Sequence, residues 1–221
     1  MALLSGRALT ATELAELAGV SRATATEHLQ LLSDGRVITV VSRGRHRFHR
    51  LASTDVADVL EALARLAPPM PVRSLRQSKS AAALAAARTC YDHIAGRLGV
   101  DLYDGMLTVD VMACHRGGLV LGANRELLDR LGVDLDPYLR GRRPPLRDCL
   151  DWTERRPHLG GGLAAAVLAS MLAAEWITRT PRPRALALTQ RGQRHLEELG
   201  LLTSGEAFSA GAGSVATPRL R

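Results

Sequence analysis

The sequence predicts a mainly α-helical protein with small β-hairpins, which places it in the α+β class. Apolar residues recur at helical spacing along much of the 221-residue chain, and short β-branched runs lead into glycine-containing turns. These patterns divide the chain into an N-terminal unit (1–66), a linker rich in Pro and Arg (67–80) and a C-terminal unit (81–203). Residues 204–221 are rich in Gly, Ala and Ser and are expected to form a disordered tail.

Two short helices are predicted near the start of the chain. Thr10 and Glu13 have the spacing of a capping box, which begins a first helix, and Gly19 allows a tight turn at its end. Ser21 can then accept a hydrogen bond at the start of a second helix. The residues of this second helix that are expected to face inward are Ala25, Leu29 and Leu32.

The opposite face of the second helix is predicted to read DNA. Its side chains are mostly short or carry hydrogen-bonding groups, and such side chains on one helix can reach base edges in a major groove. The candidate DNA-binding residues on this helix are Ser21, Arg22, Thr24, Thr26, Glu27 and Gln30.

A β-hairpin is predicted directly after the second helix. Residues 37–41 are mostly β-branched, and Gly44 supplies the backbone freedom for a turn before the returning strand. Five arginines and no acidic residue lie between Asp34 and Asp55, which is a composition suited to contact with phosphates. The candidate DNA-binding residues of the hairpin are Arg43, Arg45 and Arg47.

Together these segments resemble the winged helix-turn-helix of ArsR-type bacterial transcriptional regulators. The matching runs are TATELAELAGVS, TATEHLQLL, DGRV and RGRHRFHRL, and the resemblance covers about residues 1–66. It implies a cytoplasmic, sequence-specific regulator that binds double-stranded operator DNA as a homodimer. We expect a repressor that is released by a small effector, whose identity the sequence does not reveal.

The alternative is a winged-helix scaffold that contacts proteins or nucleic acid without operator specificity. Short polar residues beside an acid-free arginine hairpin favour DNA as the partner of the second helix. An exposed apolar face on this helix would instead favour binding in the groove of another protein.

The helix predicted for residues 54–66 is expected to form the dimer contact. ArsR-type domains normally begin with a longer helix that helps to form the dimer, whereas only four residues precede Ser5 in this chain. Either translation starts further upstream than Met1, or the dimer relies on other elements. The apolar stripe on residues 54–66 is too extensive for an isolated surface helix. Its members are Val56, Val59, Leu60, Leu63 and Leu66.

The C-terminal unit is predicted to begin with one long helix and to contain two related repeats. The Ala-rich residues 81–98 are expected to form a helix that ends at Gly99. Residues 102–131 and 163–199 each have the pattern of a helix, two strands and a helix, which is a degenerate winged-helix order. The runs ARTCYDHIAGRLGV and CLDWTERRPHL are similar to runs in a longer subgroup of ArsR-type regulators.

The positions at which ArsR-type regulators hold metals lack ligands in this chain. The first predicted helix has no thiol, and the helix over residues 54–66 has no His. Neither a standard metal sensor nor a cofactor is therefore expected. A different Cys/His site for zinc or another thiophilic metal is one hypothesis. Cys90 and His93 would share a helix face, and Cys149 and His158 would complete the site.

A buried polar network is the interpretation that the sequence favours over a metal site. Residues 88–93 and 149–158 gather polar side chains within an apolar background, so we expect the two runs to touch and satisfy each other. The expected members of the network are Tyr91, Asp92, His93, Trp152, Glu154 and Arg155. A redox-active thiol at Cys90 or Cys149 is a third hypothesis.

The composition agrees with a nucleic-acid partner. The net charge of +7 and the pI of about 10.3 come almost entirely from arginine, since Lys79 is the single lysine. A GC-rich genome also enriches arginine, so its clustering in the hairpin is the stronger evidence. We expect no signal peptide, no membrane span and reduced cysteines.

An enzyme is not expected. Ala113-Cys-His-Arg116 resembles the nucleophile motif of alkylguanine-DNA alkyltransferases, but the proline that precedes the cysteine in that motif is missing.

Overall fold

The computed structural model of the protein describes residues 2–66, 75–139 and 144–203. Within these residues the fold is α+β, as predicted, because helices are combined with antiparallel strand pairs. Residues 67–74 of the predicted linker and the whole predicted tail lie outside the described residues. Residues 75–80, which were expected to belong to the linker, instead form the first turns of helix α4.

The N-terminal unit has the architecture of a winged helix-turn-helix. A short 3-10 helix is followed by the elements β1 Leu9–Thr10, α1 Ala11–Ala18, α2 Arg22–Asp34, β2 Ile38–Arg43, β3 His46–Leu51 and α3 Thr54–Leu66. The three strands form one antiparallel sheet in the order β1-β3-β2. Its core contains the buried side chains of Leu4, Leu9, Leu29, Ile38 and Leu51.

Both predicted helix starts are present. The Thr10 side chain accepts a hydrogen bond from the Glu13 backbone, and the Glu13 carboxylate accepts one from the Thr10 backbone at 2.7 Å. Gly19 ends α1 in the left-handed conformation with φ 68°, where glycine is strongly favoured. Ser21 then caps α2. These local interactions fix the angle between α1 and α2 and therefore the position of the recognition helix.

The inward face of α2 is shorter than the helical pattern predicts. Ala25 and Leu29 are buried, as expected, but Leu32 is 40% exposed. The last turn of α2 is therefore open to solvent, and Leu31 beside it is exposed as well.

The predicted long helix over residues 81–98 is wrong. Helix α4 ends early, and a hairpin precedes the next helix. The elements of this region are α4 Leu75–Ala86, β4 Arg88–Cys90, β5 His93–Ala95 and α5 Arg97–Thr108. Cys90 and His93 consequently face each other across the hairpin instead of lying one turn apart on a helix.

Tertiary pairing explains why the helical pattern does not continue. The Thr89 backbone N–H donates to the Arg184 carbonyl at 2.8 Å, and the Leu186 N–H donates to the Ala87 carbonyl at 3.0 Å. Tyr91, in the hairpin turn, has φ 62°, which is outside the right-handed helical region. Pairing with a segment nearly 100 residues away thus outweighs the local helix propensity of this run.

The C-terminal unit contains two repeats with the element order hairpin, helix, hairpin, helix. The first repeat continues from α5 into β6 Met112–His115, β7 Gly118–Leu121 and α6 Glu126–Arg130, followed by a short helix α7 Asp136–Leu139. The second repeat consists of β8 Arg147–Leu150, β9 Pro157–Gly160, α8 Gly162–Ala173, β10 Ile177–Arg179, β11 Leu186–Leu188 and α9 Gln190–Glu198. The helix, strand, strand, helix order is present as predicted, whereas the leading hairpin of each repeat was not predicted.

Leucine and methionine fill the core of the C-terminal unit, in keeping with the low aromatic content. Leu98 and Met106 on α5 and Leu163 and Met171 on α8 are each at most 1% exposed. None of the helices in the described part of the chain combines the length and the apolar character needed to cross a membrane.

Among the described residues, two ion pairs join the C-terminal unit to α3. The Arg147 guanidinium donates two hydrogen bonds to the Asp58 carboxylate. Arg184 pairs with Glu61, and both of these side chains are nearly buried. One side of α3 is therefore held by the C-terminal unit through charged contacts.

Candidate nucleic-acid interface and a buried cysteine–histidine cluster

Ser21 and Thr24 hold the start of the recognition helix, α2. The Ser21 Oγ accepts a hydrogen bond from the Thr24 backbone N–H at 3.1 Å and lies 2.9 Å from the Thr24 Oγ1. Thr24 is half-buried, whereas Ser21 is exposed. Both hydroxyls thus take part in hydrogen bonds at the start of the helix. These two predicted site residues therefore act first in positioning α2.

Four other predicted residues of α2 are exposed. Arg22 and Glu27 extend into solvent, and the Thr26 Oγ1 donates to the Arg22 carbonyl at 2.8 Å. The Gln30 side-chain amide donates to Asp34 at 2.8 Å, and this contact is broken easily because both groups are exposed. This face therefore offers hydrogen-bonding groups that can be redirected to base edges.

An open groove of about 340 Å³ separates α2 from the hairpin of β2 and β3. Its walls include Arg22, Thr26 and Gln30 from the helix and Arg45 and Arg47 from the hairpin. None of the described residues that line the groove is acidic. Because three arginines face a space without carboxylates, the groove is suited to an anionic chain such as a phosphate backbone.

The hairpin turn presents its arginines outward. Gly44 has φ 59°, which allows the two-residue turn between the paired residues Arg43 and His46. Arg43, Arg45 and Arg47 are all exposed, as predicted. Four predicted site residues, however, are not among the residues that line the groove: Ser21, Thr24, Glu27 and Arg43.

The groove also contains residues that were not predicted as site residues. His46 lies between the two groove arginines in the sequence, and Thr12 lies in the first turn of α1. The acid-free character of residues 36–50 is a signal that could have included His46. Thr12 could not be found in this way, because only the packing of α1 beside α2 brings it to the groove.

A second candidate site lies in the C-terminal unit, where two cysteines and two histidines converge. Cys90 pairs with His93 across β4 and β5, and Cys149 pairs with His158 across β8 and β9. All four side chains are buried, and one potential ligand atom from each lies within 4.8 Å of the others. The two sequence runs therefore touch, as predicted, although they meet through hairpins and not through a helix face.

The internal geometry of this cluster is compact. The Cys90 and Cys149 Sγ atoms are 3.8 Å apart. The His93 and His158 rings stack with centroids 5.1 Å apart and an interplanar angle of 29°. The third cysteine, Cys114, is exposed on β6 and is not part of this cluster.

The two thiols have opposite pKa displacements. Contact with the Cys90 thiol lowers the pKa of Cys149, and the His158 and His93 imidazoles lower it further despite its burial. Contact with Cys149 and burial raise the pKa of Cys90 well above its ordinary value. The contact between the two sulfurs therefore opposes the ionisation of both thiols at once.

A buried polar network adjoins the cluster, and Asp151 is its centre. Its carboxylate accepts hydrogen bonds from the Arg88 guanidinium at 2.8 Å and from the Gly96 backbone at 2.6 Å. Arg88 also lies over the Trp152 ring, 4.5 Å from its centroid. A buried polar network thus exists, as expected. Its central hydrogen bonds join Arg88, Asp151 and Thr153, which are not the residues named from the sequence.

Burial raises the pKa of Asp151, but the charge of Arg88 and several hydrogen bonds lower it more. The net result is a pKa well below the usual range, so Asp151 is a carboxylate at neutral pH.

The winged helix-turn-helix, with its exposed polar helix face and its arginine-rich hairpin, defines a class of DNA-binding proteins. Residues 1–41 match the family described as a helix-turn-helix domain. The chain is also 39% identical over 199 residues to the uncharacterized HTH-type transcriptional regulator YdfF of Bacillus subtilis (strain 168), covering 90% of this chain and 88% of YdfF. The chain belongs to this family of HTH-type transcriptional regulators, and it is a DNA-binding transcriptional regulator.

Proposed function

We propose that the protein is an ArsR-type repressor that binds an inverted-repeat operator as a homodimer and is released by a small effector. The acid-free groove between α2 and the hairpin carries this proposal. A repressor needs only to occupy DNA that RNA polymerase must use. Its site of action is the cytoplasm, where bacterial DNA is found.

The groove suggests a division of labour between helix and hairpin. Arg22, Thr26 and Gln30 are exposed on the recognition helix and are suited to hydrogen bonds with base edges. Arg45 and Arg47 are suited to phosphates, because they lie on the opposite wall of the groove and point to solvent.

The apolar face of α3 supports a homodimer. Val59, Leu63 and Leu66 follow one another at helical spacing and are 59%, 56% and 82% exposed. The other side of α3 is already held by the C-terminal unit through Asp58 and Glu61. An exposed stripe of this kind is suited to pairing with the same stripe of a second copy about a two-fold axis.

The attachment of the C-terminal unit to α3 suggests how an effector can act. Arg147 and Arg184, which hold α3, belong to the second repeat of the C-terminal unit. An effector that prefers a different arrangement of this repeat would move α3, and with it the spacing of two recognition helices.

The proposal is tested by selecting binding sites for the full-length protein from a random double-stranded DNA library. We expect an inverted repeat whose half-site centres are about 10–11 base pairs apart, or a multiple of this, because two recognition helices enter successive major grooves. Selected sites without dyad symmetry would contradict the homodimer. Equal binding to all sequences would contradict operator recognition and favour the scaffold alternative.

Repression is then tested with the selected operator placed in a promoter that drives a reporter gene. We expect the protein to lower reporter expression, and Arg22→Ala to restore it. An increase of expression by the wild-type protein would contradict repression while leaving DNA binding intact.

A further inference from the structure

The two repeats of the C-terminal unit build the cysteine–histidine cluster in the same way. In each repeat the cysteine lies on the first strand of the leading hairpin and the histidine lies opposite it on the second strand. Three residues after each histidine, a glycine with positive φ precedes the next helix: Gly96 with φ 79° before α5 and Gly161 with φ 93° before α8. The cluster is therefore a repeated arrangement, with one cysteine and one histidine from each hairpin.

We propose that Cys90, His93, Cys149 and His158 bind one zinc ion in a tetrahedral Cys2His2 site. Zinc–sulfur bonds of about 2.3 Å at a tetrahedral angle place two sulfur ligands about 3.8 Å apart. The observed separation of the Cys90 and Cys149 Sγ atoms is 3.8 Å. The sulfur positions therefore already match those that a zinc ion requires.

The histidines are oriented as metal ligands usually are. The Nδ1 of His93 is 3.3 Å from an Asp92 carboxylate oxygen. The Nδ1 of His158 faces an Asp151 carboxylate oxygen at 3.7 Å, which is too long for a hydrogen bond. The Nε2 of each ring is buried and makes no hydrogen bond to any residue that the structure describes. Metal-bound histidines typically turn one ring nitrogen to a carboxylate and the other to the metal.

Alternative uses of the cluster leave these imidazole nitrogens unexplained. A buried polar atom without a partner costs about 1–3 kcal/mol, and a bound metal ion would remove this penalty for the Nε2 atom of each ring. A disulfide between Cys90 and Cys149 would use only the sulfurs, which are well beyond the covalent distance of about 2.05 Å. The network around Asp151 pairs its carboxylate with the Arg88 guanidinium but does not bond the Nε2 atoms of the two histidines.

The location of the site suggests what the ion does. Cys90 and Cys149 are 59 residues apart in sequence, so one ion would join the leading hairpins of both repeats. The Tyr91 N–H, next to Cys90, donates to the Leu4 carbonyl of the DNA-binding unit at 2.9 Å. Arg147, two residues before Cys149, pairs with Asp58 on α3. The ion therefore fixes the two hairpins that hold the DNA-binding unit. Its site shares no residue with the groove between α2 and the arginine hairpin.

The test uses the reduced full-length protein, from which metal has been removed with a chelator, and cobalt(II) as a spectroscopic probe. We expect one cobalt(II) per chain, thiolate-to-cobalt charge-transfer absorption, the strong ligand-field bands of a tetrahedral site, and displacement of cobalt by zinc. Cys90→Ser and Cys149→Ser should each abolish most of the charge-transfer intensity. The matched controls Cys114→Ser and His115→Gln change exposed residues of β6 and should bind as the wild type does.

Two further measurements keep the proposal testable if the cysteine variants fail to fold. Zinc-edge X-ray absorption of the wild-type protein should show two sulfur and two nitrogen ligands. A zinc ion with only oxygen and nitrogen ligands would overturn the proposal, as would a folded wild-type protein that gives no thiolate–cobalt band. A protein isolated without metal whose mass is lower by two hydrogens, in the wild type and in Cys114→Ser alike, would instead show a Cys90–Cys149 disulfide and would also overturn it.

Discussion

Asp151→Ala should destabilise the protein more than any change to an exposed ion pair. Asp151 and Arg88 are both completely buried, and their charged atoms are 2.8 Å apart. The substitution leaves the Arg88 guanidinium without its counter-charge in the interior. It also removes the acceptor for the Gly96 and Thr153 backbone N–H groups.

The size of this effect follows from burial. Breaking a buried ion pair by removing one partner costs about 3–5 kcal/mol. A loss of about 4 kcal/mol corresponds to a decrease in Tm of about 8–16 °C for a domain of this size, since each kcal/mol shifts Tm by roughly 2–4 °C. The exposed pair of Asp104 and Arg156 gives the contrast, because their side chains are 45% and 56% exposed. Asp104→Ala should cost less than about 1 kcal/mol.

The assay is chemical and thermal unfolding followed by circular dichroism, with wild type, Asp151→Ala, Asp151→Asn and Asp104→Ala side by side. Asp151→Asn should have an intermediate effect, because the amide oxygen can still accept some of the backbone hydrogen bonds. If Asp151→Ala and Asp104→Ala lower the free energy of unfolding equally, the buried ion pair of Asp151 and Arg88 does not stabilise the fold more than an exposed pair does.

Three other outcomes are expected. Leu63→Glu should convert the dimer to a monomer, as measured by analytical ultracentrifugation, and weaken operator binding in a gel-shift assay. A dimer that persists would contradict the α3 interface, and Glu126→Gln, at an exposed residue, is the control. The depressed pKa of Asp151 means that its contribution to stability is complete above about pH 4, the ordinary range of an aspartate, and is lost as the pH falls further. The stability difference between wild type and Asp151→Asn should therefore narrow during acid titration, and a difference that is constant with pH would contradict this assignment. Removal of metal with a chelator should lower the Tm of the wild type and of Cys114→Ser alike, whereas an unchanged Tm would contradict a zinc ion that joins the hairpins.

The parts of the fold that could be predicted from sequence are those fixed by local interactions. Thr10, Glu13 and Ser21 form their caps through side chains within three residues, and Gly44 permits the hairpin turn. Such interactions do not depend on distant packing, so their sequence pattern is enough to place the recognition helix and the arginine hairpin.

The leading hairpins of the C-terminal unit could not be predicted in the same way. The turn of the first hairpin uses a positive φ at Tyr91, a residue type that rarely signals such a turn. Strand β4 pairs with Arg184 and Ala185, far along the chain. The sequence did indicate that the runs containing Cys90 and Cys149 would meet, because polar groups need partners in an apolar background. The secondary structure predicted for Cys90 was nevertheless wrong, since this residue lies on strand β4 and not on a helix.

The most direct test of the central claim is the salt dependence of operator binding. The claim is that DNA lies along the groove between α2 and the hairpin, with Arg45 on phosphate. Arg45→Ala should weaken binding to all sequences and reduce the slope of log K against log salt by about one. Arg116→Ala, in the exposed turn of the β6–β7 hairpin, is the matched control and should leave affinity and slope unchanged.

Arg22→Ala should instead change the preference among operator variants by about 1–3 kcal/mol per contact, because this residue is placed to read bases. A wild-type slope for Arg45→Ala, or an equal loss of slope for Arg116→Ala, would contradict the location of DNA in this groove.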